Sequence, residues 1–174
     1  MAAPTRIRRA TAQDARTLAV LAEKTFRDTY TRFNTPENMQ AHCEKSFGEP
    51  LQRSEIEDAG RETWVVELDG QLVAYAQLIL DAPCPSMTQA RGIELLRFYV
   101  DASQQGTGLA YRLMDELVTR GAALGANILW LGVWNQNERA IAFYKKCGFK
   151  HVADKTFTVG EDVQQDFVMG RELH

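Results

Sequence analysis

The residues best suited to chemistry lie in the turn Gln104-Gln105-Gly106-Thr107-Gly108-Leu109-Ala110. Gly106, Gly108 and Ala110 strip side chains from alternate positions, and Leu109, Leu113, Met114, Leu117 and Val118 then recur at helical spacing. The first amides of a helix lack partners within it, and the peptide dipoles concentrate positive potential there. A bare turn at such a place lets a phosphate or diphosphate reach backbone N–H groups. Before the turn, Glu94-Leu-Leu-Arg-Phe-Tyr-Val100 is an apolar and aromatic run closed by Asp101, which predicts a strand. A dinucleotide fingerprint would require a third glycine where the chain has Tyr111. A P-loop would require Gly-Lys-Ser/Thr, and the turn holds no lysine. Both are disfavoured.

The elements that position this turn continue behind it. Asn127-Ile-Leu-Trp-Leu-Gly-Val-Trp134 is a nearly continuous apolar run, as expected of a strand buried on both faces in a parallel βαβ unit. Asn135 to Phe149 then reads as a helix with asparagine at its start and Gly148 at its end. Upstream, Arg6–Ala10 predicts a first strand, and Thr11-Ala-Gln-Asp14 a capping box that opens a helix through Leu18, Leu21 and Phe26. Thr35-Pro36-Glu37 announces a second helix ending near Gly48, and residues 49–60 a third. Two strand-like runs between Trp64 and Ile79 flank Asp69-Gly70, a hairpin signal. Residues 81–90 form a loop, and Gly160-Glu161-Asp162 separates two closing strands.

With 174 residues, 45% hydrophobic and 25% charged, the chain has the composition of one globular domain spanning 1–174. A net charge of −3 argues against a nucleic-acid surface and mildly favours cationic partners. Cys43, Cys84 and Cys147 form neither an even disulfide framework nor a metal cluster, and the three histidines are scattered. Free thiols, no metal and a reducing compartment are expected. No run approaches membrane-spanning length, and the Met1-Ala-Ala-Pro start lacks the apolar core of a signal peptide, so the cytoplasm is the expected location and no membrane is involved.

Two phrases narrow the reading. Gln105-x-x-Gly108-x-Ala110 resembles the Q/R-x-x-G-x-G/A motif of the GNAT superfamily of acyl-CoA N-acyltransferases, and Asn137-x-x-Ala140-x-x-Phe143-Tyr144-x-x-x-Gly148-Phe149 resembles that superfamily's following helix. Islands across most of the chain are similar to the PaiA-type spermidine/spermine N-acetyltransferases. They are Thr25-Phe-Arg-Asp28-Thr29-Tyr30, Pro36-Glu37-Asn38-Met39, Ile128 to Trp134, Asn137 to Lys146, and Gly160-x-x-x-Gln164-x-Asp166-x-x-Met169. The resemblance implies an α/β fold with a mixed, mostly antiparallel sheet, a parallel central βαβ pair and flanking helices. It also implies acetyl-CoA as co-substrate and transfer of acetyl to a primary amine by direct attack, with a polyamine as acceptor and a homodimer as a possible assembly.

The same resemblance places the site. Tyr144 would protonate the coenzyme A sulfur, and Glu94 would deprotonate the amine through water. Gln105, Gly106, Thr107, Gly108, Leu109, Ala110 and Tyr111 would hold the diphosphate, the backbone of Phe98, Tyr99 and Val100 would pair with pantetheine, and Asn137 and Lys146 would add contacts. Asp28, Tyr30, Glu37 and Trp134 are candidates to face the acceptor, by charge or by an aromatic ring. The chain departs from the pattern at Leu96, where PaiA-type sequences often carry a second acid, and at Gly106, where many relatives carry Arg or Lys. Other small amines, a protein N-terminus or lysine, and a non-catalytic acyl-CoA sensor are the competing readings.

Overall fold

A computed structural model describes residues 4–159 and 161–174. The chain runs β1 (Thr5–Arg9), α1 (Ala15–Tyr30), α2 (Pro36–Ser46), α3 (Glu49–Glu57), β2 (Arg61–Leu68), β3 (Gln71–Ile79) and β4 (Gly92–Val100). It continues through α4 (Leu109–Ala123), β5 (Ile128–Trp134), α5 (Glu138–Lys146), β6 (Lys150–Val159) and β7 (Asp162–Glu172). Seven strands form one sheet in the order β1-β2-β3-β4-β5-β7-β6. The β4–β5 pair is parallel, and β1–β2, β5–β7 and β6–β7 are antiparallel. This is the mixed α/β sheet that the order of elements predicts. Gly160 of the expected closing turn lies outside the described residues.

Local chemistry sets the boundaries. The Asp14 carboxylate accepts from the Thr11 N–H at 2.8 Å and so closes the chain before α1. The Thr35 hydroxyl accepts from the Asn38 N–H at 3.2 Å, with Pro36 at the first position of α2, where its missing N–H costs nothing. The Asn137 side chain accepts from the Ala140 N–H at 3.2 Å and caps α5, which stops at Gly148 with φ +87°. Asp69 and Gly70 both take positive φ between β2 and β3, as a two-residue hairpin of the primed type requires.

The chain divides into two compact units. One comprises the residues up to Gln77 together with Arg97–Leu113. In its core Leu18, Leu21 and Ala22 of α1 pack with Cys43, Phe47, Val65 and Tyr75. The Glu55 carboxylate, almost fully buried, accepts from Arg97 at 2.8 Å and from Gln77 at 3.0 Å. A buried carboxylate survives only with such partners. The other unit comprises Leu78–Leu96 and Met114–His174. Strand alternation gives its sheet two faces: Leu129, Leu131 and Met169 on one, Ile128, Trp130 and Val168 on the other. The 81–91 loop covers the lower part of the second face, where Trp130 Nε1–H donates to the Ala82 carbonyl at 2.8 Å. All three cysteines are buried and free of disulfides.

Candidate active site

The turn before α4 belongs to the first unit. Asp101 opens it by accepting from the Ser103 N–H at 2.9 Å, while Lys24 of α1 donates to the same carboxylate at 2.8 Å. Those donors hold the Asp101 carboxyl down, at about 2. Gly106 and Gly108 have φ of +79° and +84°, a region where a side chain is strained, and a Cβ on either would meet no atom within 4 Å. The glycines are therefore required by backbone conformation and leave the turn open on its outer side. Thr107 Oγ1 donates to the Gln104 carbonyl at 2.7 Å. No hydrogen bond among the described residues uses the amides of Gly106, Gly108 or Ala110. Of the side chains here, Leu109 is core, whereas Gln105, Thr107 and Tyr111 are exposed. An anion would meet backbone N–H groups first.

The carboxylate and the aromatic rings belong to the second unit. Parallel pairing of β4 with β5 runs through Gly92↔Ile128, Ile93↔Leu129 and Glu94↔Trp130. Glu94 therefore lies beside Trp130 on one face of the sheet, two steps before the exposed Gly132 and four before Trp134. Across β5, Trp134 is in register with Asp166 of β7. Glu94 and Trp134 are both half-buried. In the first unit, Arg97 is bound to Glu55.

Tyr144 sits on α5, half-buried, with its ring edge-on to Phe143 at 5.4 Å and to Phe149 at 5.8 Å between centroids. The C-terminal end of α5 is held by Arg171, whose Nη1 donates to the Cys147 carbonyl at 2.7 Å. Arg171 is in register with Leu129, so α5 is tied to the face opposite Glu94. The proposed acid and base thus come from opposite sides of the same sheet. Lys146 is exposed in the last turn of α5, and Asn137 has its oxygen on the cap of that helix.

The remaining acceptor candidates are in the first unit. Asp28 is exposed and already paired with Lys24 at 3.0 Å. Tyr30 stacks obliquely on Phe26 at 4.7 Å. Glu37 occupies the first turn of α2, where a carboxylate complements the helix dipole. None of these three reproduces the juxtaposition of carboxylate and indole that Glu94 and Trp130 make.

Comparison with known proteins decides the family. The model of the acetyltransferase (GNAT) family matches residues 23–149. The chain belongs to the GNAT family. It is 31% identical to an N-acetyltransferase of Lactobacillus delbrueckii subsp. lactis over 88% of each chain. It is 33% identical to one of Mycobacterium bovis over 92% of this chain and 98% of that one. Among solved structures, it is similar to the PaiA N-acetyltransferase of Thermoplasma acidophilum in complex with coenzyme A, with a TM-score of 0.80 and 21% identity over 97% and 99% of the two chains. It is similar as well to the ribosomal-protein-S18-alanine N-acetyltransferase of Escherichia coli, with a TM-score of 0.68 and 19% identity over 98% and 94%. The protein is an N-acetyltransferase of that family.

The GNAT assignment and the open, glycine-formed turn fit each other, since a diphosphate needs amides without side chains in the way. Two residues of the second unit, Asp166 and Lys155, carry little local sequence signal. Asp166 stands in one of the PaiA-like islands without a role implied for it, and nothing in the local sequence marks Lys155. Asp166 is 8% exposed, and Lys155 of β6 is in register with it. The available signal was a carboxylate at an inward position of a strand, alternating with Val168 and Gly170. No helix among the described residues is long and apolar enough to cross a membrane.

Proposed function

We propose that the acceptor is a polyamine such as spermidine or spermine, acetylated on a primary amine by direct attack. The observation that carries this reading is the register of Glu94 with Trp130, on a face that continues through exposed Gly132 to Trp134 and Asp166. Carboxylates and indole rings sharing one face of the sheet suit an alkylammonium chain, which binds by charge, by hydrogen bonds and over aromatic surfaces. The similarity to PaiA-type sequences points the same way.

An alkylamine with a pKa of about 10.4 is almost fully protonated at pH 7, and deprotonation costs about 4.6 kcal/mol at about 1.36 kcal/mol per pH unit. Glu94 supplies the base, accepting a proton from the acceptor nitrogen through water. Acetyl-CoA supplies an acyl thioester. Tyr144 gives its hydroxyl proton to the departing sulfur, and the amides from Gly106 to Tyr111 hold the diphosphate. Backbone groups of Phe98, Tyr99 and Val100 align the pantetheine arm and polarise the carbonyl. Lys146 adds charge near it. This reading puts the enzyme in the cytoplasm, with its buried thiols reduced.

The test is release of free thiol from acetyl-CoA with spermidine, spermine, amino acids, an aminoglycoside and a peptide beginning with alanine. Spermidine or spermine is expected to give the highest kcat/KM, and Tyr144→Phe to lower kcat by about 10²–10⁴, the span of a lost general acid. Preference for the peptide would replace the polyamine reading with protein N-terminal acetylation. Binding of acetyl-CoA without turnover of any amine would leave only a sensor.

A further inference from the structure

The face of β5 that carries Trp130 and Trp134 also holds a group of side chains that the transfer step does not use. Asp166 is flanked in register by Trp134 of β5 and Lys155 of β6. It is more than nine-tenths buried, yet its Oδ1 has no hydrogen-bond partner. A buried carboxylate oxygen without a donor is costly, and a fold that only needed to fill this position would place an apolar residue there, as it does at Val168. Burial accordingly raises the Asp166 carboxyl above its ordinary range, against the pull of Lys155.

Gly132, the neighbouring position on β5, is exposed, and the space above it is taken by Lys155. The Cε and Nζ atoms of Lys155 lie 2.7 and 2.8 Å from the point where a Cβ at 132 would stand, and Asp166 Oδ2 lies 3.6 Å from that point. The same Nζ is 5.8 Å from the centre of the Trp130 ring. An n-butylammonium group, the side chain of Lys155, therefore rests in a hollow with a glycine floor, an indole wall and a carboxylate that it leaves incompletely satisfied.

We propose that this hollow is a second-ammonium subsite for the acceptor, that Asp166 is its anionic ligand, and that Lys155 is a tethered occupant which the acceptor's ammonium displaces. The proposal rests on the polyamine reading for its physiological ligand, but its chemistry requires only an alkylammonium. Along β5, Asp166 stands level with Trp134 and Glu94 with Trp130, four residues or about 13 Å apart at about 3.3 Å per residue. A polyamine can place one amine toward Glu94 and another toward Asp166, whereas a monoamine can serve only one. A tethered side chain competes at millimolar effective concentration, so Lys155 sets a threshold that short amines fail to pass.

The experiment uses the full chain and n-butylammonium as the probe, in calorimetric titrations of the wild type, Lys155→Ala, and Lys155→Ala combined with Asp166→Asn. Removing the tethered group is expected to make n-butylammonium bind at least tenfold more tightly, and Asp166→Asn to abolish that gain. With acetyl-CoA present, Lys155→Ala is expected to lower the KM for spermidine severalfold. Lys155→Gln, which keeps length but removes charge, should give the same gain if the alanine variant folds poorly. The proposal is overturned if a variant with wild-type melting temperature shows no gain, or if the gain survives Asp166→Asn. An Asp166-dependent gain for n-butylammonium in an enzyme that acetylates no polyamine would retain the subsite and discard the polyamine reading.

Discussion

Asn137 and Tyr144 belong to one sequence phrase, and the structure puts one at the cap of α5 and the other half-buried on its body. The Asn137 oxygen accepts from the Ala140 N–H and fixes the start of the helix that presents Tyr144. Replacing such a cap by alanine costs about 1 kcal/mol. At roughly 2–4 °C per kcal/mol for a chain of this size, Asn137→Ala is expected to lower the melting temperature by about 2–4 °C in a calorimetric scan. If Asn137 also touches coenzyme A, the KM for acetyl-CoA will rise as well, and an unchanged KM would confine it to the cap. Both positions on α5 were legible in the sequence because a helix keeps its cap and the rest of its motif within a dozen residues. Asp166 was not, because its importance depends on registers between β5, β6 and β7 that local sequence does not specify. Gly132 shares that dependence: its small size matters through Lys155, twenty-three residues on. Gly132→Ala meets only the far end of that flexible side chain, so it should fold normally. By pushing on the same hollow, it should raise the KM for spermidine and leave that for acetyl-CoA unchanged, as steady-state kinetics would show.

Among the elements, the turn between β4 and α4 shows how charge at the rim fixes a backbone that must stay bare inside. Lys24 and the Ser103 N–H both donate to Asp101 at the first residue of the turn, which depresses its carboxyl from an ordinary 3.8 to about 2. A carboxyl lowered on folding stabilises the native state fully above its unfolded value, and the contribution fades as pH falls toward the folded value. Stability from this contact is thus complete at neutral pH and is lost between about pH 4 and pH 2. The difference in melting temperature between wild type and Asp101→Asn is expected to shrink over that interval. A constant difference would mean that Asp101 acts by shape alone. Within the turn, Gly108→Ala places a side chain at φ +84°, and left-handed backbone costs an ordinary residue about 1–2 kcal/mol. The variant should melt a few degrees lower and bind acetyl-CoA more weakly in direct titration, because the amides lose their alignment. This element is legible through its two glycines, and α2 and α5 through their caps. Sequence alone could not reveal that Arg97 would settle on Glu55, since the two are 42 residues apart and only the folded first unit brings them together.

For the whole molecule, the net charge of −3 is too small to repel or attract strongly at a distance, so any steering must come from where the carboxylates lie. On one face of the second unit's sheet Glu94 and Asp166 bracket two indole rings, and Lys155, which lies against one of them, is the group proposed to leave. A trivalent spermidine approaching that face should feel an attraction that salt weakens. The screening length falls from about 30 Å at 0.01 M to about 8 Å at 0.15 M. Between those ionic strengths kcat/KM for spermidine should fall severalfold, while n-butylamine, with one charge, should change much less. Acetyl-CoA contributes its own salt dependence through the diphosphate, so it must be held saturating for both amines. Asp166→Asn should then flatten the spermidine slope toward that of the monoamine. Equal slopes for the two amines in the wild type would show that the acceptor is not recognised as a polycation. The aromatic and carboxylate face would then serve a singly charged amine, with Glu94 acting on it alone.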